Sequence, residues 1–247
     1  MGGCDEQDCG GFTQALWDLK TAPATFDFAA WLVCVKTLGA DHIHFRDHGE
    51  IQRKKFPQEI ARERFRTIIL GLTKLSGTAY SQGPYGSGIT SDYHAGTVEA
   101  LYRKLGRIWK FSNDYPGERG YVTVTLREAT RNTIRNSSPA WKEFIRASKR
   151  RVVVLPEVGS NPMPFPERMR LYSNADMNFG VNNGPMWLCA FSEAPYRIFN
   201  LAPTKDWKAH YKRTGFPEGS QLSFRNDRQE MIWEHDSLDK IMARIDD

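Results

Sequence analysis

The chain has 247 residues, of which 40% are hydrophobic and 26% are charged, and its mean hydropathy is -0.55. This composition excludes a disordered chain and is typical of a globular protein with one large domain or two small ones. The 34 lysines and arginines exceed the 29 aspartates and glutamates by five, a balance that suits a protein handling phosphates on nucleotides or nucleic acid.

The sequence predicts neither a membrane-spanning segment nor a secretory leader. The longest apolar run, 28–35, is about half as long as a spanning helix, and the N-terminal segment is acidic and glycine-rich. Four cysteines are too few for a disulfide framework, and Cys4 and Cys9 lack a second ligand pair at zinc-binding spacing. We therefore expect a cytoplasmic protein without a metal site.

Strand-like and helix-like segments alternate along the first half of the chain. Two helical segments are each followed by a glycine, Gly39 and Gly77, a residue that commonly ends helices. The predicted elements are a strand at 15–19, a helix at 26–38, a strand at 42–45, a helix at 59–75, a loop at 80–91 and a helix at 94–105.

The segment 113–120 is the best candidate for a domain boundary, because proline and glycine cluster there. Beyond it the sequence predicts a strand at 121–126, a helix at 139–148, strands at 151–155 and 177–181, a helix ending at Ala194, a strand at 196–200, a further segment at 230–233 and a terminal helix from Ser237. Strands separated by helices favour parallel pairing, so both halves are predicted to be βαβ layers.

The turn formed by Asn182, Asn183, Gly184 and Pro185 is the most informative feature, because it joins a predicted strand to a predicted helix. Free N–H groups and the positive end of the helix dipole meet at such a start and attract phosphate. Gly184 would let a ligand approach the backbone, and Pro185 suits the first helical turn. The same residues fit an ordinary strand-to-helix turn equally well.

The longer segment around this turn resembles the C-terminal nucleotide-sugar domain of GT-B glycosyltransferases, especially the heptosyltransferase-like glycosyltransferase family 9. The residues that match the family pattern are Ala175 and Asp176, 180–188, Pro195 and 202–204. Two positions depart from it, because the acidic residue of the family is Asn182 here and its histidine is Trp187. Charge near a bound phosphate must then come from other residues.

The resemblance implies an α/β fold of two Rossmann-like domains, as in GT-B enzymes, with a cleft between them. Residues 1–113 would form a trimmed acceptor-side domain and 114–235 the nucleotide-sugar domain, while the terminal helix in 236–247 would pack back on the first domain. The implied activity is metal-independent transfer of a sugar from a nucleotide-diphosphate donor to an acceptor hydroxyl, with no cofactor.

The resemblance also suggests site residues. Asp27 falls at the position of the family's general base, although it is equally a favourable residue for the first turn of a helix. Arg127, Arg131 and Arg135 follow strand 121–126, where they would bind donor phosphates or form a solvated basic loop. Glu193 stands where some GT-B enzymes place a ribose-binding carboxylate. With these residues, 182–185 complete the predicted donor site.

Two rival functions stay open. The first is a phage-type glycosyltransferase acting on modified DNA, which the basic composition and the lysine-rich segment after Thr204 would suit. The second is a non-catalytic nucleotide-binding relative, suggested by Asn182 and Trp187 in place of charged residues. The predicted partners are accordingly a nucleotide sugar and a glycan, a small molecule or modified DNA as acceptor.

Overall fold

A computed structural model of the chain describes residues 13–22, 24–49, 57–128, 134, 136–156 and 163–245. Its first sheet contains parallel strands in the order β1-β2-β3: β1 (Gln14–Asp18), β2 (His42–Arg46) and β3 (Ala79–Gly83). The helices of this half are α1 (Asp27–Thr37), α2 (Gln58–Arg64), which continues through a π-helical turn (Phe65–Ile69) into α3 (Leu70–Leu75), and α4 (Ala95–Leu105).

Strand β3 corrects the loop expected at 80–91. It pairs in parallel with β2, with Tyr80 opposite Ile43 and Gln82 opposite Phe45. Glycine and polar side chains gave this segment no strand-like pattern, but the pairing uses backbone groups of β2 that a sequence pattern does not show.

The second sheet has the order β5-β4-β6-β7-β8, again with parallel pairing. Its strands are β4 (Val122–Thr125), β5 (Val152–Leu155), β6 (Met177–Val181), β7 (Tyr196–Phe199) and β8 (Gln229–Met231). Its helices are α5 (Ala140–Ala147), α6 (Phe165–Asn174), α7 (Met186–Ala190), α8 (Lys205–Arg213) and α9 (Leu238–Met242). The prediction of α/β layers with parallel strands is thus confirmed. In this strand order the winding reverses between β4 and β6, and ligands of such sheets bind outside the carboxyl ends of the strands at that point.

Helix α7 is shorter than expected, because it ends at Ala190 rather than Ala194. The chain turns at Ser192, whose hydroxyl accepts a hydrogen bond from the backbone N–H of Ala194 at 3.2 Å. Pro195 follows directly, and a residue that precedes proline is disfavoured in helical conformation.

The terminal helix α9 packs on the second sheet, so the expectation that it returns to the first domain is wrong. It lies against α5. Ile241 is fully buried in a cluster with Trp141 and Phe179, and Leu238 packs against the same cluster. These side chains cover the sheet face that α5 alone leaves open, which explains where the helix goes.

The opposite face of the second sheet shares one apolar core with the first half of the molecule. Helix α6 lies against α3, and α7 lies against α1. A single cluster of buried side chains includes Trp17 and Trp31 of the first half and Phe165 and Tyr196 of the second. The two sheets are therefore joined by packed side chains, while the proposed limits of the domains stay a prediction.

Among the described residues, every helix falls short of the length and apolar character required to cross a membrane.

A glycine in α4 tests how closely the two halves are packed. A Cβ on Gly96 would lie 1.6 Å from the carbonyl oxygen of Thr214, whereas one on Gly71 would lie 2.7 Å from the ring of Phe165. A ring can rotate and a backbone carbonyl cannot move alone. We expect Gly96→Ala to lower the free energy of unfolding by about 1–3 kcal/mol, and by more than Gly71→Ala does. Urea unfolding measures both, and equal costs would contradict this packing.

Candidate functional site

A pocket lies where the carboxyl ends of strands from both sheets come together. Its walls are the start of α1 after β1, the start of α4 after β3, the turn after β6 and one side of α8 after β7. The inner part has a volume of about 100 Å³, and a wider mouth of about 420 Å³ shares its outer residues. The inner lining comprises Phe26, Asp27, Ala30, Tyr93, His94, Ala95, Asn182, Trp187, Phe191, Trp207, His210, Tyr211 and Thr214.

Asn182 forms part of the inner wall, and its side chain bonds to the protein itself. It is 2% exposed; its Nδ2 donates to the carbonyl of Leu201 at 2.6 Å and to the hydroxyl of Tyr211 at 2.8 Å. Its Oδ1 accepts from Nε1 of Trp187 at 3.2 Å. The two residues that depart from the glycosyltransferase pattern are therefore hydrogen-bonded to each other, and Asn182 holds Trp187 and Tyr211 in the wall.

The close approach that Gly184 permits is made by Phe26. A Cβ on Gly184 would lie 2.3 to 2.7 Å from atoms of the Phe26 side chain. Asn183 is fully buried and its Oδ1 accepts from the backbone N–H of Met186 at 3.2 Å, and Pro185 precedes α7. The turn thus has the expected local form, but the Phe26 side chain occupies the near face of Gly184.

Asp27, His94 and His210 meet at the mouth of the pocket. Oδ2 of Asp27 accepts a hydrogen bond from the hydroxyl of Thr25 at 2.7 Å, so the exposed carboxylate is oriented from within its own turn. The imidazole rings of His94 and His210 lie 5.3 Å apart between centroids, with an interplanar angle of 80°. A carboxylate from the first half therefore lines the same pocket mouth as an imidazole from α8 of the second, and its charge acts on that imidazole.

The protonation of His210 is set by this surrounding. Burial lowers its pKa, the neighbouring charges of His94 and Arg213 lower it further, and the carboxylate of Asp27 opposes them. The net direction is downward, so the imidazole is neutral at neutral pH and able to accept a proton. Burial also raises the pKa of Tyr93, with smaller upward effects from Asp27 and Asp92, so this residue remains a phenol that can donate a hydrogen bond.

The remaining predicted residues lie elsewhere or outside the described residues. Glu193 follows α7, away from the pocket lining, and its carboxylate accepts from Lys110 at 2.6 Å and Asn226 at 3.1 Å. Burial raises the pKa of Glu193, but these hydrogen bonds and the charge of Lys110 outweigh it and leave the pKa lowered. The structure therefore places Glu193 in a polar link between loops.

Arg127 lies just beyond β4, and its backbone is tied to the loop that follows. Its N–H donates to the hydroxyl of Ser137 at 2.9 Å, and the N–H of Ser137 donates back to its carbonyl at 3.0 Å. It does not line the pocket. Arg131 and Arg135 lie outside the described residues.

The residues of the pocket that sequence reasoning missed lie mainly on α8. Trp207, His210, Tyr211 and Thr214 line the pocket at spacings of three, four and seven, the pattern of one helix face. Thr204 caps this helix by accepting from the N–H of Trp207 at 3.3 Å. The N-capping Thr204 and the spacing of the residues that follow it could have predicted this helix and its pocket-lining face. The many lysines of the segment instead favoured the interpretation of a solvent-exposed basic surface.

Within the part of the chain that the structure describes, no group of three or more His, Cys, Asp or Glu side chains is arranged to hold a metal ion.

Comparison of the chain with known protein families, with curated proteins and with solved structures finds no match.

The surrounding of His210 predicts two opposite shifts in its titration. In the folded chain His210 should titrate below its ordinary pKa of 6.5. Removing the imidazole charge with His94→Ala should raise the pKa, whereas removing the carboxylate charge with Asp27→Asn should lower it further. NMR titration of the ring protons measures both variants, and shifts of the same sign would contradict the arrangement.

The same pKa gives the sign of a stability effect. The His210 imidazole binds a proton more readily in the unfolded chain than in the folded chain, because folding lowers its pKa. His210 therefore lowers the free energy of unfolding as the pH falls from about 6.5 through the pKa of the folded state. Above about pH 6.5 its protonation leaves the free energy of unfolding unchanged.

Proposed function

We propose that this chain is a GT-B-type glycosyltransferase that moves a sugar from a nucleotide-diphosphate donor to an acceptor hydroxyl in the pocket between the sheets. The observation that carries the proposal is the pocket itself, because it lies at the carboxyl ends of strands of both sheets and has both Asp27 and His210 in its lining. A transferase that joins two substrates requires groups from two sides at one point. The resemblance of segment 175–204 supports the nature of the donor.

Asp27 acts as the general base. The acceptor hydroxyl oxygen attacks the anomeric carbon of the donor, and the bond from that carbon to the diphosphate oxygen breaks. The hydroxyl proton passes to the Asp27 carboxylate, and the nucleoside diphosphate leaves with the bonding electrons. The hydrogen bond from Thr25 orients the carboxylate, and neutral His210 hydrogen-bonds the acceptor.

The character of the pocket suits the acceptor better than the diphosphate. Lysine and arginine are missing from its described lining, and carboxylates of Asp27 and Asp206 lie at its mouth. Trp187 and Trp207 supply aromatic walls, which exclude water and pack against the apolar faces of a ring. The donor phosphates then extend from the pocket past the turn after β6, toward the carboxyl end of β4.

A second candidate is a nucleotide-binding relative without catalysis. It is favoured by the Asn182–Trp187 hydrogen bond, which joins the two residues that replace the charged ones of the family pattern, and by the Phe26 side chain, which lies where a ligand would approach Gly184. This candidate keeps nucleotide binding but predicts no sugar transfer.

Turnover separates the two candidates. Sugar derivatives of UDP, GDP, ADP, CDP and dTDP are incubated with the chain and a panel of acceptor glycans and hydroxylated small molecules, and products are detected by mass spectrometry. We expect one donor to be consumed, and Asp27→Asn to lower kcat by about 10²–10⁴-fold with donor affinity unchanged. Asp41→Asn, a change at an exposed carboxylate outside the pocket lining, is the matched control.

If Asp27→Asn keeps the wild-type kcat, Asp27 is not the general base. Tight binding of a nucleotide without turnover of any donor would favour the second candidate.

A further inference from the structure

The mouth of the pocket is lined by aromatic rings and carboxylates. Its volume of about 420 Å³ falls within the range of sites that enclose small molecules. The described lining consists of the rings of Tyr93, His94, Trp207 and His210 and the carboxylates of Asp27 and Asp206. A ligand that enters the pocket must therefore suit both aromatic faces and negative charge.

The four rings form a continuous row along the mouth. The centroid of the His94 ring lies 4.9 Å from that of Tyr93 and 5.3 Å from that of His210. The row ends at Trp207, whose ring centroid lies 5.9 Å from that of His210. The phenol and the indole at the two ends attract a cation placed over their faces, because the ring quadrupole is negative there. The row therefore favours a ligand with an ammonium group over an anionic ligand.

The local charge at the mouth is opposite to that of the whole chain. The chain has a net charge of +5, but lysine and arginine are missing from the described lining. Arg213 lowers the pKa of His210 without lining the pocket. Burial, and then the charges of Asp27 and Asp92, raise the pKa of Tyr93, so a third carboxylate acts on the row. A phosphate or carboxylate ligand would meet these charges without a cation in the lining to offset them.

Asp206 is the carboxylate of the mouth that has no partner among the described residues. It is exposed and lies in the first turn of α8, four residues before His210 and so on the same side of the helix. In that part of the chain no cation forms an ion pair with it and no donor hydrogen-bonds to it. Asp27 differs, because one of its oxygens accepts from Thr25. Asp206 can therefore accept from an ammonium group while Asp27 remains available to a hydroxyl.

We propose that the acceptor carries a positively charged amine beside the hydroxyl that receives the sugar. The ammonium group donates to the Asp206 carboxylate and lies against the row of rings, and the hydroxyl lies at the Asp27 carboxylate. The inference rests on the proposed function, in which the pocket holds the acceptor, and it adds the chemical class of that acceptor.

Binding in the absence of donor tests this class. One set of probes is aminoethyl, hydroxyethyl and carboxymethyl glucoside, and the other is tyramine, tyrosol and hydroxyphenylacetate. Each set holds an amine, a neutral analogue and an acid of similar size. Dissociation constants are measured near neutral pH from the NMR shifts of the His94 and His210 ring signals. We expect the amine of at least one set to bind about three- to tenfold more tightly than its neutral analogue, and the acids to bind more weakly.

Variants of Asp206 locate the charge that selects the amine. Asp206→Asn should bind the amine no more tightly than its neutral analogue, whereas Asp206→Glu, which keeps the charge, should keep the preference. Asp239→Asn is the matched control, because Asp239 is also an exposed carboxylate in the first turn of a helix, α9, and lies outside this pocket. It should bind every probe as the wild type does. If Asp206 serves only to stabilise its helix, both Asn variants lower Tm alike and the preference for the amine is unchanged.

Equal binding of amine and neutral analogue in both sets would overturn the proposal, as would tighter binding of the acids or no binding of either amine. A preference for the amine that persists in Asp206→Asn would overturn the role of Asp206.

The outcome is separable from that of the proposed function, because binding is measured without donor. If an amine is preferred through Asp206 and no sugar is transferred, the cation site stands and the glycosyltransferase proposal fails. If sugar is transferred with equal kcat/KM to the amine and to the neutral analogue of each set, the transferase proposal stands and this inference fails.

Discussion

The burial of α1 on all sides is the constraint on which the rest of the structure depends. Nine of its eleven residues are buried, all but Asp27 and Lys36. A helix that is apolar all round needs a partner on every side, and here β1 and β2, α4 and α7 supply it. Because α7 belongs to the second sheet, the two halves cannot separate without exposing this helix to water. The shared core is therefore a consequence of the sequence of α1.

The site follows from the same constraint. The packing that buries α1 places its first turn against the turn after β6, with the Phe26 side chain over Gly184, and so directs Asp27 to the pocket mouth. His210 lines the pocket from the second half of the molecule, because it lies on α8, which follows strand β7 of the second sheet. A position held by a packed core rather than by a mobile loop keeps catalytic groups in place before substrate binds.

Much of the fold was predictable, because most helices and strands have a periodic pattern of apolar residues in the sequence. Strand β6 has the predicted bounds, and α1 and α4 lie within a residue or two of them. The site was less predictable, since its contacts join residues distant in sequence. Asp27 and Asn182 were expected in the site, but nothing local shows that Phe26 would lie against Gly184 or that Asn182 would bond to Trp187. The sequence did not predict helix α8, because its apolar face is narrow and lysines surround it. It did not predict β3, because that strand is defined by its pairing with β2, which is distant in sequence.

The central claim is that substrates meet in the pocket between the two sheets. The imidazole signals of His94 and His210 report on it directly by NMR, with exposed His235 as an internal reference. Sugar derivatives of UDP, GDP, ADP, CDP and dTDP are titrated in turn. Binding of each derivative is detected independently as a rise in Tm. The account predicts that a derivative that binds shifts the NMR signals of His94 and His210 and leaves the signal of His235 unchanged. A derivative that raises Tm while both pocket signals stay in place would contradict it.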